Sequence, residues 1–268
     1  VPVFCAGNVT VGGSGKTTLA LDLLARLAAR GVAAHALLRG YGGSARGARR
    51  VQPGDDAALV GDEALLLAAV APTWTGGDRA ASARAAIAAG AQALVLDDGL
   101  QNPSLAKDVS FLVIDGGFGF GNGRPLPAGP LRESVAAGAA RCRAAVLIGD
   151  DTAGALARLP PALPVLRARL VPDAAARALA GRRVFAFAGI GRPGKFHETL
   201  RACGAAVVGT RDFADHHRYT AAETLALRVQ ATRLDAALVT TAKDAGLTWN
   251  DDTALDRLLH LGLINSSR

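Results

Sequence analysis

The chain has 268 residues, 50% hydrophobic and 20% charged, with aromatics at only 4%. That balance suits one large α/β domain or two modest ones, excludes bulk disorder, and argues against a base-stacking surface or a large β-sandwich. The formal charge is +7, and four of the thirty basic residues are lysines, so an arginine-rich surface is available to nucleic acid, anionic membrane or phosphorylated substrates alike.

Val1–Ala6 is an apolar run, followed by a glycine-rich segment and a helical pattern through Ala29. Strand, glycine-rich loop and helix make a βα unit. A second apolar stretch, 33–38, ends in Arg39-Gly40-Tyr41-Gly42-Gly43, and helices are predicted over 62–70 and 78–89. Strands follow at 93–96, ending in Asp97-Asp98-Gly99, at 111–114, and at 144–148. The Gly- and Pro-rich stretch 116–133 is too long for a plain connection and reads as a functional loop. Prolines and arginines over 160–172 read as a linker. A second α/β cycle has strands at 184–188, 206–208 and 237–240, helices at 193–203 and 221–231, and a final helix at 252–261. Cys5, Cys142 and Cys203 lie far apart with no CxxC spacing, as small core residues of a reducing compartment do. No apolar run reaches the ~18 residues that a spanning helix needs.

Gly12-Gly13-Ser14-Gly15-Lys16-Thr17 carries the strongest chemical signal. Small residues let backbone N–H groups curl around a phosphate, and the helix that follows adds its N-terminal dipole. Thr10, Val11, Gly12, Gly13, Ser14, Gly15, Lys16, Thr17 and Thr18 are therefore the candidate nucleotide-binding residues. In this pattern the lysine reaches the β- and γ-phosphates and the Thr17 hydroxyl ligates Mg²⁺. Thr10 stands where GxxxxGK[ST] has its first glycine. Asp97 and Asp98, at the end of an apolar strand, suit the same metal ion. The expected fold is thus α/β, with a P-loop NTPase-like, mostly parallel sheet flanked by helices over residues 1–165 and a smaller α/β domain over 166–268.

Other residues read two ways on the sequence alone. Asp62 opens a helix, where an acidic side chain also balances the dipole. Asp215-His216-His217 lies in a polar loop and fits either a solvated surface or a site. A GTPase switch needs [NT]KxD for guanine, and Ala242-Lys243-Asp244 places the acid one position too early. A nucleotide-gated dimer of the ParA type has a second lysine where this chain has Val11. No HExxH or Cys/His cluster suggests zinc.

Taken together, the motifs resemble those of the tetraacyldisaccharide 4'-kinases of lipid A biosynthesis. The matching blocks are Gly7–Thr17, Arg39–Gly43, Val60-Gly61-Asp62-Glu63, and Asp97-Asp98-Gly99-Leu100-Gln101-Asn102-Pro103. They continue with Gly119-Phe120-Gly121-Asn122-Gly123-Arg124, Leu126–Glu133, Phe187–Gly191, Phe213–His217 and Thr240–Asp244. The family accepts Thr or Ser at the Thr10 position. It usually has an amphipathic, membrane-associated helix before the first strand, a Glu where Ala242 stands, and a further strand after Leu247. These departures predict that an N-terminal segment, and one near residue 248, are missing from the sequence.

The resemblance implies transfer of the γ-phosphate of ATP, with Mg²⁺, to the 4'-hydroxyl of a tetraacylated glucosamine disaccharide 1-phosphate. Lys16, Asp62 and His216 are then the catalytic candidates, with Asp62 as base and His216, from the second domain, tuning it across a hinge at 160–172. An aspartate with the reference pKa near 3.9 is a weak base and needs such a partner. Thr17, Asp97 and Asp98 would hold the metal, and Asn8, Arg39, Gln101, Arg124 and Arg132 would bind the acceptor, the two last through its 1-phosphate. The expected partners are the lipid A disaccharide 1-phosphate and the anionic cytoplasmic face of the bacterial inner membrane, bound peripherally by a monomer. Nucleic acid is not an expected partner.

Overall fold

A computed structural model of the chain describes residues 1–172 and 174–245, and the backbone of 259–261. Its elements run β1 (Val3–Gly7), α1 (Lys16–Ala28), β2 (Ala34–Leu38), β3 (Arg49–Arg50), α2 (Ala57–Val60), α3 (Asp62–Ala68), β4 (Thr73–Thr75) and α4 (Arg79–Ala88). They continue with β5 (Ala93–Asp97), β6 (Val109–Asp115), α5 (Val135–Ala139), β7 (Ala144–Ile148), a 3₁₀ turn (Leu156–Arg158) and β8 (Val165–Ala168). The last are α6 (Ala174–Arg177), β9 (Arg183–Ala188), α7 (Pro193–Ala202), β10 (Ala206–Asp212), α8 (Ala221–Arg233), β11 (Ala237–Thr241), α9 (Ala242–Ala245) and β12 (Leu259–Leu261). Two compact units result: residues 1–55 with 59–170, and residues 56–58 with the chain from 171 onward.

The first unit is built on a sheet of order β3-β4-β2-β5-β1-β6-β7-β8, parallel except for β3 against β4. Strands β2, β5 and β7 are buried at every position, which explains why they read as unbroken apolar runs and not as alternating ones. Strand order reverses around β1, and ligands of such sheets sit at the carboxyl ends of the strands at that point. The register pairs Ala6 with Asp97. It therefore sets the acidic end of β5 beside the start of the glycine-rich loop.

The second unit has a parallel sheet of order β10-β9-β11-β12. On β9, Val184, Ala186 and Ala188 pack with Phe196 and Leu200 of α7, while Phe185 and Phe187 pack with Leu227 and Ala231 of α8. This is the twofold alternation of a strand covered on both faces. Phe185 and Phe187 are almost wholly buried, each contributing about 2 kcal/mol of transfer free energy. Helix α8 opens with a capping box in which the Thr220 hydroxyl accepts the Glu223 N–H and the Glu223 carboxylate accepts the Thr220 N–H.

Three sequence-based expectations change here. The stretch 160–172 is not a plain linker, because β8 lies within it and pairs in parallel with β7. All four β8 residues are exposed on the sheet edge, so no burial pattern marks them. The final helix expected over 252–261 ends instead in β12, which pairs with β11; residues 252–258 lie outside the described residues, as does Thr248. Strand β10 runs on through Thr210-Arg211-Asp212, polar residues of an edge strand that the apolar pattern could not reveal. Of the cysteines, Cys5 is fully enclosed and burial pushes its thiol up to about 12. Cys142 and Cys203 are half-buried, and the Cys142 thiol donates to Gly138 O at 3.3 Å. No helix among the described residues is long and apolar enough to cross a membrane.

Candidate active site

The loop between β1 and α1 takes its shape from two glycines. Gly12 and Gly15 both have φ of 90°, a left-handed backbone that L side chains rarely adopt. A Cβ on Gly15 would stand 2.5 Å from Ile148 Cδ1, whereas one on Gly12 or Gly13 would meet nothing within 4 Å. One side of the loop is thus packed on β7 and the other faces open space that a phosphate can enter. Asn8 braces it from beneath: its amide donates to Ser14 Oγ at 2.8 Å and to Thr10 Oγ1 at 3.0 Å. Asn8 Oδ1 stays buried without a hydrogen bond. Thr10 bridges Leu131 in an antiparallel pair and is not among the positive-φ residues. A glycine is therefore unnecessary at that position.

At the head of α1 the Thr17 hydroxyl donates to Asp97 Oδ2 at 2.6 Å. Asp97 is 2% exposed, and its Oδ1 has no hydrogen bond. Burial, and then the nearby Glu63 carboxylate, push its acid up to about 8 against the opposing pull of Thr17 and Lys16. Lys16 Nζ lies 3.6 Å from Asp98 Oδ2, and Arg132 Nη1 reaches both Asp98 oxygens at 2.9 and 3.0 Å. Asp98 itself holds φ of 53°, an uncommon conformation for a non-glycine residue that concentrates at functional sites. A buried orphan oxygen, a second carboxylate and a hydroxyl are the hard donors that Mg²⁺ takes. Thr17, Asp97 and Asp98 fit that ion. Thr18, in the first turn of α1, is half-buried.

The 116–133 loop is fastened to the phosphate loop. Val11 N–H donates to Pro130 O at 2.8 Å and Arg132 N–H donates to Val9 O at 2.7 Å. Gln101 ties the other side, donating to Asn8 O at 2.7 Å and to Glu133 at 2.8 Å. This pairing brings Arg132 to Asp98. Arg124 is not brought in: it is exposed, and its guanidinium makes no hydrogen bond among the described residues.

Two further motifs meet on α3. A Cβ on Gly61 would lie 2.7 Å from Tyr41 O, and one on Gly40 would lie 2.8 Å from Val60 O, so the Arg39–Gly43 loop closes on the turn before Asp62. Asp62 is 4% exposed, and its Oδ1 accepts the Glu63 N–H at 2.9 Å. Arg39 is exposed, and its charge acts on Arg79.

Arg79 is a residue the sequence reading missed. It is 3% exposed, its Nη1 donates to Gly76 O, and its Nε has no hydrogen bond. Burial, with Arg39 beside it, lowers its pKa, and Asp98 and Asp97 oppose that shift. A signal was available: an arginine in the first turn of a helix opposes the macrodipole, and such local conflicts mark functional positions.

In the second unit, His216 occupies a left-handed position, φ 59°, and its N–H donates to Gly189 O at 3.0 Å. Its Nε2 lies 3.8 Å from Asp215 Oδ1. The neighbouring His217 turns away to Glu223, 3.2 Å from both carboxylate oxygens, and stacks on Phe213. The adjacent histidines therefore point to different neighbours, His217 to Glu223 and Phe213, and His216 toward Asp215.

Comparison with known proteins agrees with this geometry. The family model for tetraacyldisaccharide-1-P 4'-kinase matches residues 1–260. A tetraacyldisaccharide 4'-kinase of Gluconacetobacter diazotrophicus is 56% identical over 284 residues, spanning 100% of this chain and 87% of its own length. That of Rhodospirillum centenum is 55% identical over 277 residues, 97% of this chain and 82% of its own. The crystal structure of LpxK from Aquifex aeolicus in complex with ATP superposes with a TM-score of 0.73 at 25% identity, covering 98% of this chain and 82% of that one. A family match over nearly the whole chain, with more than half identity to such relatives, leaves one conclusion: the chain belongs to the tetraacyldisaccharide-1-P 4'-kinase family.

Proposed function

We propose that the chain transfers the γ-phosphate of ATP to the 4'-hydroxyl of a tetraacyldisaccharide 1-phosphate in lipid A biosynthesis. The observation that carries this reading is the Thr17–Asp97–Asp98–Lys16 constellation under an open phosphate loop, in a chain of this family. Phosphoryl transfer asks a protein mainly for positioning and charge neutralisation. Loop N–H groups and Lys16 hold the β- and γ-phosphates. Thr17, Asp97 and Asp98 would hold Mg²⁺, which when bound draws charge from the phosphate oxygens. Arg79 adds a fixed positive charge beside the acidic pair.

Arg132 takes the acceptor's 1-phosphate, exchanging Asp98 for a phosphate whose oxygens match a guanidinium. Arg124, exposed on the same loop, and Arg39, Gln101 and Asn8 around it complete the acceptor side. Asp62 accepts the proton of the 4'-hydroxyl, and His216 tunes it. Support for this pair lies in the family resemblance, in the burial of Asp62 and in the strained backbone of His216. The test of the activity is phosphotransfer from labelled ATP to the disaccharide 1-phosphate in detergent micelles, where label must appear in the lipid and require it. Hydrolysis of ATP at the same rate without the lipid overturns the kinase reading.

The enzyme works as a monomer on the cytoplasmic face of the inner membrane, attached peripherally. A net charge of +7 carried by arginine supports this, since each basic residue near an anionic surface contributes about 1 kcal/mol. Sedimentation with anionic vesicles is expected at low salt and is lost at high salt, with little binding to neutral vesicles. Equal, salt-insensitive binding to both would contradict the electrostatic account.

A further inference from the structure

The second unit holds a buried carboxylate that the phosphate chemistry does not use. Asp244 is fully buried. Its Oδ1 accepts the Gly189 N–H at 3.0 Å and the Tyr219 hydroxyl at 3.1 Å, and its Oδ2 accepts the Thr241 hydroxyl at 2.5 Å. The Asp244 N–H donates back to Thr241 Oγ1 at 3.2 Å. A buried acid is retained only when it is hydrogen-bonded, and here the bonds converge on one loop. Gly189 receives Asp244 on its N–H and offers its carbonyl to the His216 N–H at 3.0 Å. Tyr219, three residues beyond His216, sets its ring edge-on to Phe187, Phe213 and His217. One carboxylate thereby fastens the loop on both sides of the left-handed His216. The fit is close: a Cβ on Gly189 would stand 3.0 Å from both Asp244 Oδ1 and Tyr219 Oη, and 3.1 Å from Ala214 O.

We propose that Asp244 is a positioning residue for the proton-accepting step, holding His216 in its working conformation through Gly189 and Tyr219. The proposal rests on the reading of His216 as partner of the base. Asp244 touches neither nucleotide nor acceptor in this scheme; it fixes where an imidazole stands. Since misplacing a catalytic group by about 1 Å costs on the order of a hundredfold, its removal shows in kcat. The KM for ATP, set by the loop of the first unit, does not follow.

The experiment is a mutant cycle on the full chain: Asp244→Asn, Tyr219→Phe and His216→Ala, singly and combined, in the phosphotransfer assay. Amide hydrogen exchange at His216 is read beside the kinetics. Asp244→Asn is expected to lower kcat about tenfold to a hundredfold, leave KM for ATP within about twofold, and speed exchange at the His216 amide. Tyr219→Phe, which removes one hydrogen bond, is expected to lower kcat about fivefold. In the His216→Ala background each should cost less than about twofold, because a group that acts through His216 has nothing left to position. An undiminished cost there, with His216→Ala itself strongly impaired, overturns the positioning role and leaves the base reading standing. Wild-type kcat in His216→Ala overturns the base reading, and the proposal falls with it. If Asp244→Asn does not fold, Tyr219→Phe decides by the same cycle.

Discussion

Lys16→Ala is expected to abolish turnover in a protein that still folds, with kcat reduced by roughly a thousandfold or more. The ammonium lies at the mouth of the phosphate loop, 3.6 Å from Asp98, where it would meet the oxygens of the transferring phosphoryl group. Its charge matters most where negative charge accumulates, so the loss belongs in kcat more than in KM. The fold has little reason to suffer. Alanine is the strongest helix former, Lys16 begins α1, and Asp98 keeps Arg132 as partner. Circular dichroism and thermal melting establish that the variant is folded, and steady-state phosphotransfer then measures the loss. Near-normal kcat in a folded Lys16→Ala protein would remove the phosphotransferase assignment.

The second large effect concerns Asp62 and His216. If the two residues serve one proton transfer, Asp62→Ala and His216→Ala each cut kcat strongly, by a factor on the order of a hundred or more. The double variant should then be scarcely worse than the worse single one, since residues acting as a unit are not additive. Nucleotide affinity stays near wild type in all three, because neither side chain is assigned to the phosphates. The acidic limb of the pH–rate profile disappears in whichever single variant removes the titrating group. Fully additive losses, or loss of ATP binding in Asp62→Ala, would mean separate tasks. Asp62 would then be better read as a metal ligand, and the base sought in Asp97 or Asp98.

Much of the nucleotide side of the site is legible in the residues themselves. The run from Val3 to Thr18 combines an apolar strand, small residues and a helix with a lysine at its head, and the backbone angles at Gly12 and Gly15 follow from having no Cβ. Asp97 is legible because a carboxylate ending an unbroken apolar strand has one favourable place, the carboxyl edge of a parallel sheet. The acceptor side is much less so. Nothing local to Arg132 names Asp98 as its partner, and nothing local to Thr10 says that it bridges Leu131. Arg124, equally basic and on the same loop, stays outside that network.

The contrast has a physical basis. Hydrophobic period, glycine placement and charge at element ends act over a few residues, so the sequence by itself determined the α/β class, the phosphate loop, the acidic pair and the kinship carried by the motif blocks. Burial and long-range pairing act between segments far apart in the chain. Tertiary structure alone therefore decided that β8 is an edge strand, that Arg79 is buried with an unused Nε, and that burial raises the Asp97 acid. It also decided how the two adjacent histidines part: His217 meets Glu223, the third residue of the α8 capping box, while His216 takes a left-handed turn with its N–H on Gly189 O, on the far side of one helix and one strand in sequence.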